Sequence, residues 1–582
     1  MSSSSFDVRP LGDRAFAFRW REAGGMPALR AKAAAIGELG LPWLTETVAG
    51  PGTIAFYMND HPLSVDKAAS ELSRIWETLG EKNAYPGKLV EIPVVYGGEA
   101  GPDLAACAER SGLSRETFAA LHSEALYTVE MMGFAPGFPY LSGLDEKLRQ
   151  PRLDSPRPKV PAGSVGIAGA RTGVYPTDSP GGWQLIGRTA IPLFRPGNEA
   201  PFLLAPGDDV KFVPVPEQAY PGDEEKARPR EARPGTPVLS VAKPGLLTTV
   251  QDLGRPGWRA FGVSAGGAMD ERSARAANLL VGNGEGDALL ELTMIGGSYV
   301  FERDAVIAIC GADLSAKANG VSVPLNRPVF LAEGTTLSFG PAVDGCRAYL
   351  ALAGGVDVPV ELGSRSADPR ARIGGGEGRA LAAGDAVGTL PPSPRSAALF
   401  QSMKARFAAG RSRPDWFAAI AGRRAVRTAA GGRVCVLRLL EGEEWEEFAP
   451  EAKAALFGST YRVEASSDRM GIRLSGESLP RPNRGELVSH GVVAGTIQVP
   501  PNGQPIVLGA GCQPTGGYPK IAHVIDADLP LLAQAAPGDR LAFERVTPQE
   551  AELARTRRRK EFALLKAGIR LRLEHETKGG AR

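Results

Sequence analysis

Apolar positions in the first 85 residues follow two different periods. Leu29 to Leu39 and Val65 to Leu79 repeat at helical spacing, and Thr53 to Tyr57 is a short apolar run of strand type. Together they predict a small α+β domain over residues 1–85. The texture then changes. Val90 to Tyr96 reads as a strand and Asp103 to Ser111 as a helix, and after a further short helical stretch β signals dominate. Ser396 to Ala421 and Gln549 to Leu573 are the two later helical interruptions. The second carries the basic run TRRRK at Thr556 to Lys560, which reads first as a solvated helix face and only secondarily as a binding arm.

Three segments recur in the same order at similar spacing. VPAGSVGIAG at 160–169 matches VVAGTIQV at 492–499, SPGGWQLIGRT at 179–189 matches PTGGYPKIAHV at 514–524, and PGDDVKFVPV at 206–215 matches PGDRLAFERV at 537–546. Each is a strand signal beside a glycine turn, so two copies of one β-barrel-like domain are expected. A weaker match, Gly378 to Leu390, suggests a further barrel over 238–395. Residues 217–237 are charged, rich in proline and poor in apolar side chains, which makes them a linker. The expected organisation is therefore an α+β domain (1–85), a barrel (86–216), the linker, a β-rich domain (238–395), a helical connection (396–430), a second barrel (431–550) and a basic helical tail (551–582).

Composition narrows the function classes. The 582 residues exceed what one core supports. The 72 glycines and 48 prolines suit short strands joined by turns. A net charge of +2 gives no reason to expect nucleic acid as a partner. Five scattered cysteines without a CxxC pair read as reduced thiols of a cytoplasmic protein. There is no signal-peptide pattern and no apolar run of membrane-spanning length. The few histidines and the lack of HExxH argue against a zinc enzyme, and no P-loop or GxSxG elbow is present.

Candidate chemistry gathers in loops. GFAPGFPY at Gly133 to Tyr140, PRLDSPRPKVPAG at Pro151 to Gly163 and TGVYPTDSPGGW at Thr172 to Trp183 combine rigid turns, exposed backbone N–H groups and flat apolar walls. Arg152, Arg157, Lys159 and Arg188 lie in or near these loops, and arginine suits carboxylate or phosphate. The same residues also suit ordinary barrel corners, and spacing alone does not separate the two. Further along, KPGLLTTVQDLGR, FGVSAGGAMD, AANLLVGN and LLELT place Asp252, Arg255, Asp270, Asn278, Asn283 and Glu291 beside small residues. Helix capping is the expectation for Asp270. In the last domain Arg469, Gln498, Tyr518 and Lys520 stand out, Lys520 just after a Gly-Gly-Tyr-Pro turn.

These motifs resemble a known pair of families. Residues 1 to about 220 are similar to the B subunit of 5-oxoprolinase (the KipI or allophanate hydrolase subunit 1 family) through GFAPGFPYL, VPAGSVGIAG, TGVYP and SPGGWQLIGRT. Residues 238 to about 550 resemble its C subunit (the KipI-antagonist or allophanate hydrolase subunit 2 family). That match rests on KPGLLTTVQDLGR, GAMD, AANLLVGN, LELT, LGSRS, DRMG, GTIQVPPNGQPIVL and TGGYPKIAHV. The resemblance implies a mainly β fold with an α+β N-terminal domain and multiple cyclophilin-like β-barrel domains. It implies ATP-dependent opening of 5-oxoproline to glutamate together with the enzyme's A subunit, a separate chain. It further implies ATP and Mg²⁺ as cofactors and no nucleic acid or membrane partner, with homo-oligomerisation left open. Motif membership marks Asp252, Arg255 and Lys520 as catalytic candidates. It marks Arg157, Tyr175, Trp183, Arg188, Asn278, Glu291, Arg469, Gln498 and Tyr518 as substrate contacts, and assigns no metal ligand. Three positions depart from the family pattern: Arg171 stands where Gln is expected, His490 where Glu is expected, and Gly511–Cys512 where an Asp is expected. The same modules also resemble the carboxyltransferase region of urea carboxylase, which would need a biotin-bearing partner. A third reading, a regulator of a histidine kinase, ranks below both because inhibitor and antagonist would share one chain.

Overall fold

The computed structural model describes residues 6–20, 26–79, 87–217, 237–420, 425–427, 433–482, 487 and 489–579. The linker expected at 217–237 falls almost wholly outside the described residues. Helices α1 (Met26–Glu38) and α2 (Val65–Thr78) cover one face of a four-stranded antiparallel sheet. Its order is Phe6–Pro10, Ala15–Trp20, Thr53–Met58, Leu44–Gly50. The strand Ala-Phe-Ala-Phe explains the two faces by its period of two. Phe16 and Phe18 point with Phe56, Trp43 and Trp76 into the helix-covered core. Ala15, Ala17, Ala55 and Tyr57 face the opposite way and meet Val493, from the far end of the chain. Small residues on that face let a second domain approach the sheet.

The next unit is a closed seven-stranded barrel. Its strand order is Arg171–Val174, Pro139–Ser142, Tyr127–Met132, Asp209–Pro214, Leu89–Tyr96, Gln184–Arg188, Ser164–Ala168. Helices α3 (Leu104–Arg110) and α4 (Arg115–Glu124) pack beside it. The last unit closes in the same way, through Arg433–Glu441, Lys520–Val524, Thr496–Gln498, Ile506–Leu508, Gly471–Ser475, Tyr461–Val463 and Arg540–Arg545, the last returning to the first. The sequence repeat maps onto equivalent strands. In each barrel the final repeat segment pairs parallel with the opening strand, and the first two repeat segments pair antiparallel with each other.

Residues 237–388 differ from the expected third barrel. They form a six-stranded and a five-stranded sheet packed on one shared core, and no closure joins them among the described residues. Strand Ala305–Asp313 is buried on both faces. Ile307 and Ile309 enter the inter-sheet core, while Val306, Ala308 and Cys310 face α5 (Glu271–Leu280) and α6 (Pro394–Ala408). Both outer layers being apolar explains the continuous apolar run. The helix expected from Ser396 to Ala421 stops at Ala408, where Gly410 adopts a left-handed φ of 81° and Pro414 follows. Helices α7 (Pro450–Gly458) and α8 (Leu529–Ala533) accompany the last barrel. None of the five cysteines is paired in a disulfide, and four of them are buried. No helix among the described residues is long and apolar enough to cross a membrane.

Helix α9 (Pro548–Gly579) runs back across the assembly. Phe562, Ile569 and Leu573 join the core formed with α5 and α6. Arg555 is 3% exposed and donates to the carbonyls of Asp13 at 2.7 Å and Leu63 at 2.9 Å in the N-terminal domain. The start of this basic helix is thus interior, contrary to a wholly solvated face. Replacing Arg555 by Ala leaves two buried carbonyls without a donor and is expected to cost about 3 kcal/mol. Thermal unfolding of R555A against wild type measures it, and an unchanged melting temperature would contradict the buried role.

Candidate functional site

The two barrels face each other across a seam. Beside the seam the first barrel also meets the middle domain, where Gly137 N donates to the carbonyl of Phe261 at 2.9 Å and Phe202 stacks between Phe194 and Phe261 with centroid distances of 5.0 and 4.6 Å. Gly133 has no room for a side chain, because a Cβ there would lie 2.5 Å from Thr515 Oγ1 of the last barrel. Phe134, the next residue, holds a left-handed φ of 66°, a strained conformation for an aromatic residue. The loop GFAPGFPY is therefore shaped by its contact with the other barrel.

A cavity of about 1050 Å³ opens along this seam. One wall comes from the first barrel, with Tyr140, Tyr175 and Trp183 set around Phe138 at centroid distances of 5.0, 5.1 and 5.4 Å. The other wall comes from 498–503 and 513–519 of the last barrel. Arg152, Arg370 and Arg481 line the cavity, and no carboxylate among the described residues does. Arg481 is held by Glu447, whereas Arg152 is exposed and makes no hydrogen bond among the described residues. Gln498 is 2% exposed and lines the cavity, and its amide Nε2 has no hydrogen-bond partner among the described residues. An unpaired buried donor costs about 1–3 kcal/mol, so it marks a place where a ligand acceptor would be stabilised.

Behind this wall sits a buried ionic quartet. Lys520 is fully buried, with Nζ 2.5 Å from His490 Nε2 and 3.0 Å from the Gly516 carbonyl. Its backbone N–H donates to Glu444 at 2.9 Å. His490 also lies 3.2 Å from Glu443 and 3.3 Å from Glu444. Burial lowers the pKa of the Lys520 ammonium against the attraction of Glu444 and Glu443. Burial alone would raise Glu444, but the hydrogen bond to His490 and the Lys520 charge outweigh it and hold that carboxyl at about 2. Glu443 is raised, chiefly by burial. Glu443, Glu444 and His490 present ligand atoms within 4.8 Å of one another, a set that could hold a metal ion.

Four of the residues marked by motif membership line the cavity: Tyr175, Trp183, Gln498 and Tyr518. Lys520 lies just behind it. Arg157 sits at the edge, gripping Asp103 at 2.7 and 2.9 Å and the Trp183 carbonyl at 3.3 Å, which fixes the aromatic wall. Arg188 donates to the Ala162 carbonyl and is not part of the lining. The others, in the middle domain and at the start of a last-barrel strand, are not part of the lining. Asp252 accepts from Gly254 N, Arg365 N and the hydroxyls of Ser364 and Ser366, tying down a loop. Arg255, 1% exposed, donates to the Ser366 carbonyl. Asn278 holds the carbonyl of Asp287 at 2.6 Å. Glu291 is 1% exposed and takes Met269 N, the Tyr349 hydroxyl and Arg469. Arg469 also reaches Gln251, so this ion pair joins the last barrel to the preceding domain. Asp270 caps α5, accepting from Ser273 N at 3.0 Å.

Comparison with known proteins gives this seam a family. The chain matches the models described as carboxyltransferase domain, subdomain C and D, over residues 6–204, and carboxyltransferase domain, subdomain A and B, over residues 261–545. It is 38% identical to the 5-oxoprolinase C subunit of Escherichia coli K12, over 56% of this chain and 97% of that protein. It is 39% identical to the 5-oxoprolinase B subunit of Bacillus subtilis, over 38% of this chain and 98% of that protein. The chain belongs to the B-subunit and C-subunit families of 5-oxoprolinase, fused end to end. The crystal structure of TTHA0988 matches with a TM-score of 0.77 at 37% identity, covering 91% of this chain and all of that one.

In this fused B–C protein the cavity lies where the B-type barrel meets the C-type barrel. Glu443 and Glu444 were not singled out from sequence. Their signal is the acidic run Glu441 to Glu447 after a barrel strand, which reads as a solvated turn until pairing places it beside Lys520. His490 stood out only as a family departure, and it is the residue that bridges the two carboxylates and the lysine. Glu444 has a pKa lowered in the folded state, so its stabilising effect is complete above about pH 4.5 and is lost as pH falls towards 2. Glu444→Gln is expected to cost about 3 kcal/mol at pH 7 and to flatten stability between those pH values. Urea unfolding at a series of pH values checks both, and a parallel offset at every pH would contradict it.

Proposed function

We propose that this chain is the fused B–C component of an ATP-dependent 5-oxoprolinase, activating 5-oxoproline for opening to glutamate with a separate A subunit. The observation that carries this reading is the seam cavity, with its guanidinium groups, its carboxylate-free lining and its unpaired Gln498 donor among the described residues. Membership in the families of two subunits of one enzyme supports it.

The lining fits a small anionic lactam. Trp183 and Tyr175 cover the ring methylenes, the Gln498 amide donates to the lactam carbonyl, and Arg152 and Arg370 meet the carboxylate and added negative charge. ATP supplies the chemistry that a stable amide lacks: the lactam oxygen takes the γ-phosphoryl group and ADP leaves, one water adds to the activated carbon and the ring C–N bond breaks with the nitrogen taking a proton, and a second water releases phosphate from the resulting acyl phosphate. Glu443 and Glu444 are the oxygen donors suited to Mg²⁺, with Lys520 competing for the same negative charge. The protein residues bind, orient and neutralise, and His490 with Lys520 fixes the two glutamates behind the wall.

A second reading has one observation in its favour, since both matching family models are described as carboxyltransferase domains. In that case the cavity would take a urea-like amide and a biotinylated partner would deliver the carboxyl group.

The test is ADP release and glutamate formation by the purified chain with its A-subunit partner, with and without 5-oxoproline. Substrate-dependent turnover is expected, and Gln498→Ala should lower kcat/KM by about 10²-fold, the scale of one lost carbonyl donor. No turnover with a folded partner, together with carboxyl transfer from a biotinylated donor, would move the assignment to the second reading.

A further inference from the structure

A second cavity, of about 1000 Å³, lies on another face of the molecule, between the N-terminal sheet, α5, the last barrel and α9. It touches the first cavity only at Gln513, which lines both. Nine basic and five acidic side chains line it, an excess of positive charge that the chain as a whole, at +2, does not have. Three of the five acidic groups are ion-paired, while Asp13 accepts the Asp526 N–H at 2.9 Å and Glu271 makes no ion pair among the described residues, with Arg14, Arg275 and Arg558 as neighbouring positive charges. Asp526 takes Arg14 at 3.0 Å, Glu285 takes both Arg275 and Lys566, and Asp60 lies 3.4 Å from Arg559. Arg259 pairs outside the lining, with Glu46.

The remaining cations have no carboxylate in ion-pair range among the described residues. Arg555 and Arg558 are held by carbonyl oxygens, Arg558 by those of Asp526 and Ala527 at 2.8 Å each. Carbonyl bonds position a guanidinium without neutralising it. Arg272 makes no hydrogen bond at all among the described residues, and its Nε is shut off from solvent without a partner. Burial lowers its pKa first and the neighbouring Arg558 charge lowers it further, against the attraction of Glu561 and Asp270, so the two guanidinium groups are neighbours. Two neighbouring arginines on one cavity wall, one with an unused donor, form a fork suited to the oxygens of a phosphate chain. The lower wall is apolar, built from residues such as Leu253, Met269, Leu508 and Leu529.

We propose that this cavity binds a phosphate-bearing anion of nucleotide size, with Arg272 and Arg558 clasping its phosphates and α9 forming one wall. The family models end at residue 545, so the α9 wall lies beyond the shared domains. The site stands apart from the lactam reading, and either can fail without the other.

Calorimetric titration of the full chain with tripolyphosphate and with ATP tests it. Tripolyphosphate is expected to bind once per chain, and ATP to compete with it for that site. Tighter binding of ATP assigns the apolar wall to the base, and equal binding assigns the site to the phosphate chain alone. Arg272→Ala removes no hydrogen bond from the fold, so it should keep its melting temperature while weakening both ligands by about tenfold or more. Gln498→Ala, in the other cavity, should bind tripolyphosphate as wild type does. Amide exchange on the wild-type chain gives a check free of substitutions: tripolyphosphate should slow exchange in α9 around 555–566. Failure of both ligands to bind, binding unaffected by R272A, or protection confined to the barrel seam would overturn the proposal.

Discussion

The molecule depends on the close docking of its two barrels. Neither barrel contains the seam cavity by itself, since its aromatic wall belongs to one and its Gln498 donor to the other. The approach is steric before it is electrostatic. Gly133 sits where any Cβ would strike Thr515 of the last barrel, and the middle domain comes as close on the same loop, since Gly262, at φ 80°, sits where a Cβ would lie 2.4 Å from the Ala135 carbonyl. The alanine face of the N-terminal sheet does the same against the last barrel, where Tyr57 donates to the Val492 carbonyl at 3.2 Å. Once the surfaces touch, buried polar contacts fix their register. Arg259 is clasped by Glu46 and lies 4.5 Å from the centre of the Tyr57 ring, an arrangement that cannot slide without stranding a charge.

This constraint explains why a fusion is workable. Two proteins that meet through such a seam gain from being held at high effective concentration by a connecting segment. Helix α9 adds a second tie from the opposite end of the chain, reaching the N-terminal domain through Arg555. The polar residues of the middle domain fall into place as parts of the same framework. Asp252, Arg255 and Asn278 secure loops, and the Glu291–Arg469 pair joins the middle domain to the last barrel. They shape the platform on which the cavity wall rests.

Much of the fold is legible in the sequence because periodicity and repetition are local signals. The alternation in Ala15–Trp20, the helical spacing of Val65 to Leu79 and the three matched segments each report on strand, helix or barrel without knowledge of the rest. The expected third barrel was not legible in the same way. A glycine turn before a strand ends a barrel and a sheet edge alike, and only the pairing of Ala386–Gly388 with Pro237–Lys243 decides between them. At the site, Tyr175, Trp183, Gln498 and Tyr518 could be picked out because they stand in dense Gly/Pro loops. Glu443 and Glu444 could not, because they meet His490, itself visible only as a departure from the family pattern, when strands distant in sequence pair, and each alone looks like a surface residue.

The central claim is that substrate binds in the seam between the barrels. A crystal structure of the full chain with 5-oxoproline tests it most directly. The lactam is expected between Trp183 and Gln498, with its carboxylate towards Arg152. Ligand bound elsewhere, with the seam left solvent-filled at saturating 5-oxoproline, would contradict it.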